Sequence, residues 1–206
     1  MISVRKNSQK ALADKKLQAN LKKATMTALQ NRSAAIAISE TYEQSRERAI
    51  TIRDASISGL SLLLDQFCAA CRKLSIKVDV FDDYESANAR ALEIIREKGA
   101  EYVVKSKSML TEEMALNDYL GKNGVVPIET DLGEFIVQLA GEAPSHITAP
   151  ALHKSKEDVA ALFSEKLAMN YTEDIEIMAE FARNHLREKF LNAKVGITGA
   201  NFAIAE

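Results

Sequence analysis

Cysteine is scarce in this sequence, at two residues in 206. That excludes a disulfide-built secreted scaffold and suits a reducing compartment, so a cytoplasmic protein is expected. Long apolar runs are also missing. None approaches the ~20 residues that a helix needs to cross a bilayer, so no membrane span is expected. Behind Met1 the chain reads Ile2-Ser3-Val4-Arg5-Lys6, without the apolar segment of a secretory signal. An excess of one charge is absent: 27 Lys+Arg stand against 29 Asp+Glu, a net charge of −2. This removes the electrostatic case for nucleic acid or an anionic membrane as partner. No GxGxxG, GxxxxGKS/T or GxSxG segment occurs, so nucleotide-binding and hydrolase chemistry lack their motifs. Finally, residues 1–75 hold one Gly and no Pro.

What those 75 residues do contain is Ala, Leu, Lys, Gln and Arg, a helix-forming composition. Asn7-Ser8 can cap a first helix whose stripe is Ala11, Leu12, Leu17 and Leu21. A second pattern runs through Tyr42, Ala49, Ile50, Ile52 and Arg53. A third, stronger one places Ile57, Leu60, Leu63, Leu64, Phe67, Cys71 and Leu74 at spacings of three and four. Residues 1–75 therefore read as a helical amino-terminal extension. The CxxC pair, Cys68 and Cys71, lies inside the third pattern, where two thiols read as core fillers rather than as a metal or redox site.

From residue 76 the pattern changes. Ile76–Phe81 alternates as a strand does, and Asp82 or Asp83 caps a helix that stops at Lys98-Gly99. A strand at 101–104, a helix at 111–121 opened by Thr111 and a strand at 125–128 follow. Helices are expected at 132–139, 157–168 and 173–192, and a last strand at 195–198 before a turn at 199–201. Strands alternating with helices of about a dozen residues predict an α/β fold with a mostly parallel sheet.

In such a sheet ligands sit beyond the carboxyl ends of the strands. Lys105, Ser106, Lys107, Ser108 and Thr111 follow the strand at 101–104. They offer ammonium, hydroxyl and helix-end donors to a carboxylate or phosphate. Glu129, Asp131 and Glu134 gather carboxylates after the strand at 125–128; helix capping alone explains Asp131 but not Glu129. His146 lies in the loop Pro144-Ser145-His146, where its ring can face a ligand or be a hydrogen-bonded structural group. Thr198, Gly199 and Asn201 form a small-residue turn where a ligand can approach the backbone. No set of ligands for a metal ion is visible.

The same segments carry a family resemblance. Residues 103–113 (VVKSKSMLTEE), 129–154 (ETDLGEFIVQLAGEAPSHITAPALHK) and 192–206 (NAKVGITGANFAIAE) resemble the amino-terminal half of lactate utilisation protein B, the LUD domain. The similarity covers roughly residues 60–206. It implies the three-layer α/β/α sandwich of the sugar-phosphate isomerase/coenzyme A transferase-like type for a LUD domain at 76–206. It also implies a part in bacterial lactate catabolism: electron transport in the oxidation of L-lactate to pyruvate, with the other subunits of that system as partners and a small carboxylate as ligand. The family's [4Fe-4S] clusters belong to a cysteine-rich carboxyl-terminal half, whereas this sequence ends at Glu206. The domain is therefore expected to be truncated there, to hold no cofactor itself and to be inactive alone. Two other readings stay open on the residues: a stand-alone enzyme of this fold acting on a phosphorylated or acyl substrate, and a non-catalytic assembly module.

Overall fold

A computed structural model describes residues 4–146 and 149–200. Its backbone contacts divide the chain into two compact units. One comprises Met1–Ala24 with Asp82–Ala200, and the other is built on Thr25–Phe81.

The chain opens with α1 (Val4–Ala13), α2 (Lys15–Ala37), α3 (Tyr42–Ser58) and α4 (Leu60–Lys73). Within Thr25–Phe81 the apolar stripes remain largely in solvent: Leu29, Ile57, Leu60 and Leu62 are exposed, while Cys71 is buried. Both thiols are free. The expected strand at 76–81 does not form. Ser75 takes a left-handed φ of 59° and the Ile76 amide bonds back to the Cys71 carbonyl, so the segment begins as the tail of α4. Alternation supplies an apolar edge, but a strand also requires a ladder partner. Among the described residues none pairs with it, and Ile76, Val80 and Phe81 are exposed.

The other unit carries the sheet. α5 (Tyr84–Glu97) starts where the Asp83 carboxylate accepts from the Ser86 amide at 2.7 Å, and it stops before Gly99 at φ 58°. Then follow β1 (Tyr102–Lys105), α6 (Met109–Glu113), α7 (Leu116–Lys122), β2 (Val126–Glu129), α8 (Leu132–Ala140), α9 (Lys156–Leu167), α10 (Ile175–Asn192) and β3 (Gly196–Ile197). The expected helix at 111–121 is thus two short helices. Ala115, at φ 49°, breaks it and turns the chain so that Met114 and Leu116 both reach the core.

The strands are parallel in the order β2-β1-β3, with Lys105 opposite Glu129 and Ile197. Register and alternation assign the faces. Val103, Val125 and Ile197 face the cluster built on Leu92, Ile95, Leu116 and Leu120, from α5 and α7. Ile128 faces the other cluster, with Phe135, Phe163, Met178 and Leu186 from α8, α9 and α10. The fold is α/β. The chain leaves β1 toward one face and β2 toward the other, the connection pattern that in open α/β sheets marks a crevice at the strands' carboxyl ends.

Candidate functional site at the carboxyl ends of β1 and β2

Lys105, the last residue of β1, is fully buried. An ammonium removed from water must replace its hydration with acceptors, and this one has three. Its Nζ donates to Thr111 Oγ1 at 3.0 Å and to Glu112 Oε1 at 3.0 Å, and pairs with Glu129 Oε1 at 2.8 Å. Burial alone would lower the pKa of this ammonium. The hydrogen bonds to Glu129 and Glu112 outweigh it and hold the value above the ordinary lysine range.

Glu129 lies opposite Lys105 across the ladder and is as deeply buried; its Oε1 also accepts from Asn117 Nδ2 at 2.7 Å. Its second oxygen, Oε2, and Asn117 Oδ1 are buried and have no hydrogen-bond partner among the described residues. Glu112 differs in that its side chain is 34% exposed, so it is the solvent-facing member of the lysine's shell. Glu134, in the first turn of α8, is buried near the same charges. Burial first, then the Glu112 and Glu129 carboxylates, push its pKa up, against a smaller opposing pull from Lys105 and Lys107.

The loop between β1 and α6 is pinned from several directions. Ser108, not Thr111, is the helix cap: its hydroxyl accepts from the Thr111 amide at 3.2 Å, while Thr111 Oγ1 donates to the Ser108 carbonyl. That leaves the Thr111 oxygen to accept from Lys105. Ser106 donates its hydroxyl to Thr198 Oγ1 at 2.9 Å, and its amide bonds the Ile197 carbonyl. Gly199 lies flat against Ser108. A Cβ there would collide with the Ser108 hydroxyl and lie 3.1 Å from its Cα. The turn after β3 thus admits close backbone approach, and what it admits is the site's own loop. Asn201 lies outside the described residues.

Asp131 caps α8, accepting from the Gly133 and Glu134 amides. Lys107 is half-buried and His146 is exposed. His153 leads into the Ser155/Asp158 capping box of α9, and its Nε2 lies 2.8 Å from Glu142 Oε2. The structure therefore gathers Lys105, Thr111 and Glu129, adds Glu112, Asn117 and Glu134, and leaves His146 on the surface. Asn117 gave no motif. Its only sequence signal is an amide on the core-facing side of an apolar helix.

The matches to known proteins bear on this geometry. The LUD domain family model matches residues 64–206. The chain belongs to the LUD domain family. Over 165 residues it is 41% identical to lactate utilization protein B of Oceanobacillus iheyensis, covering 80% of this chain and 34% of that protein. It is 42% identical over 166 residues to lactate utilization protein B of Bacillus subtilis (80% and 35%). It is 41% identical over 165 residues to the uncharacterized electron transport protein YkgF of Escherichia coli (80% and 35%). The chain spans about a third of the length of the relatives it matches. No solved structure matches it significantly.

A LUD chain can be tested for an iron–sulfur cluster on its own residues. Four thiolates hold a [4Fe-4S] cluster. Here there are two cysteines, both on α4, one of them buried. They do not fit. Among the described residues no group of three or more His, Cys, Asp or Glu is placed to hold a metal ion, and no helix is long and apolar enough to cross a membrane.

Proposed function

We propose that this LUD domain works in lactate utilisation, as part of a protein that takes electrons in the oxidation of L-lactate to pyruvate alongside further subunits. The names of the relatives support that role. Within it, the crevice at Lys105 receives the small carboxylate. The observation that carries this reading is the unequal shell of the lysine. Glu129 is locked in the core, whereas Glu112 is a third exposed and replaceable. A ligand carboxylate that displaces Glu112 takes over a charge-assisted hydrogen bond to Lys105. A hydroxyl on the neighbouring carbon would then donate to Glu129 Oε2, which has no donor among the described residues. A 2-hydroxy acid carries both groups; a 2-oxo acid carries only the first.

The test is calorimetric titration of L-lactate and pyruvate into the 206-residue chain and its Glu112→Gln variant. Removing the competing carboxylate is expected to tighten L-lactate binding roughly tenfold. Absence of heat in both proteins, or equal affinity in both, sinks the reading.

A further inference from the structure

A cavity lies on the other side of β2 from Lys105. It has a volume of about 350 Å³ and is lined by Thr130, Arg183, Leu186, Arg187, Phe190 and Leu191. The size falls within the usual range of small-ligand sites, ~300–1,000 Å³, and exceeds what a three-carbon acid fills. Its position follows from the fold. Thr130 continues β2, with its amide and hydroxyl both donating to the Lys105 carbonyl. Leu186 sits in the core cluster on that face. The cavity therefore shares the sheet's carboxyl edge with the lysine site but opens toward α10.

Its chemistry differs from that of the lysine site. Arg183 and Arg187 are one helical turn apart on one face of α10, so their guanidiniums can converge on a single group. Both are exposed, and among the described residues neither makes an ion pair or hydrogen bond. Among the described residues no carboxylate lines the cavity. The floor is apolar: Leu186 is buried, whereas Phe190 and Leu191 are 59% and 73% exposed. The Thr130 hydroxyl has spent its proton on Lys105, so it presents acceptor lone pairs. Two unpaired positive charges match a dianion better than a single carboxylate, and planar guanidiniums grip phosphate oxygens in pairs. The exposed phenyl and isobutyl groups beside them call for an apolar body on the same ligand.

We propose that the cavity between the end of β2 and α10 is a binding site for an organic phosphate: a dianionic phosphoryl group clamped by Arg183 and Arg187, with its apolar or aromatic portion on Leu186, Phe190 and Leu191. The site is separate from the carboxylate crevice and stands without it.

The probe is phenyl phosphate, titrated into the 206-residue chain beside inorganic phosphate. Phenyl phosphate is expected to bind roughly tenfold more tightly than inorganic phosphate, through its ring. The double variant Arg183→Gln/Arg187→Gln should lose roughly a hundredfold in affinity for phenyl phosphate while its thermal unfolding stays unchanged, because both residues are exposed. A third variant, Phe190→Ala, should bring phenyl phosphate down to the affinity of inorganic phosphate. Three results each overturn the proposal: no binding by the wild type up to roughly 10 mM, undiminished binding by the double variant, or equal affinity for the two phosphates in the wild type.

Discussion

The two sides of the sheet's carboxyl edge treat positive charge in opposite ways. On the α6–α7 side, Lys105 has no exposed surface and gives all three of its hydrogens to protein acceptors. On the α10 side, Arg183 and Arg187 stand in an open cavity with no partner among the described residues. The difference is one of solvation. A buried ammonium without acceptors costs several kcal/mol, so its partners are a condition of folding. A guanidinium in water loses little by standing unpaired. Partners around Lys105 therefore report on stability first and on ligands second. The unpaired arginines report on ligand capacity alone.

The hardest way to break this comparison is to remove the buried charge. Lys105→Met leaves Glu129 buried opposite an apolar chain. It should cost about 3–5 kcal/mol in urea-induced unfolding. The double variant Lys105→Met/Glu129→Gln should recover most of that loss, because no uncompensated charge remains. A single variant that loses under ~1 kcal/mol would show that the lysine site is as open as the arginine cavity, and the contrast would vanish.

A smaller effect is expected at the turn that closes the lysine side. Gly199→Ala forces a methyl group into Ser108, the cap of α6, so the turn after β3 and the loop after β1 must part. The expected loss is about 1–3 kcal/mol. Amide hydrogen exchange should localise it to residues 105–112, and protection unchanged there would mean that the loop does not depend on the turn.

Much of this was legible in the sequence, and what was not has a physical reason. The strands expected at 101–104 and 125–128 form one residue later, the cap expected at Asp82 or Asp83 is Asp83, the cap expected at Thr130 or Asp131 is Asp131, and the stop at Gly99 is present; all depend on local chemistry. Lys105 and Glu129 were placed at strand ends by the same local reasoning. Their union was not legible, because it depends on a parallel register that only the folded sheet sets. Ile76–Phe81 failed for the same reason in reverse: local alternation was present, but among the described residues no neighbouring strand pairs with it. The break at Ala115 has no sequence signal, since alanine favours the helix it interrupts. Arg183 and Arg187 were within reach, at i and i+4 on a helix that the periodicity already gave. What hid them was the lack of any sign that this face of α10 lines a cavity.

The finest test sharpens how far the lysine side tolerates negative charge. Glu134 sits among Glu112 and Glu129, and its carboxyl titrates above the ordinary range, through burial first and those carboxylates second. The sign follows from linkage. A carboxyl whose folded pKa is raised favours folding fully at pH below its unfolded value, near 4.5, and that contribution is lost as pH rises through the folded value. At neutral pH the ionised form is thus a cost to the native state. Glu134→Gln keeps the shape and removes the charge. The variant should melt about 1–3 °C above the wild type at pH 7, and the two curves should converge toward pH 4. Lys107 opposes the shift at Glu134, so a Lys107→Ala background should widen the gap at pH 7. Should Glu134→Gln instead melt lower at pH 7, with the deficit growing as pH rises, the ionised carboxylate would be a needed partner. The lysine side would then hold its charge excess as readily as the open side holds its arginines.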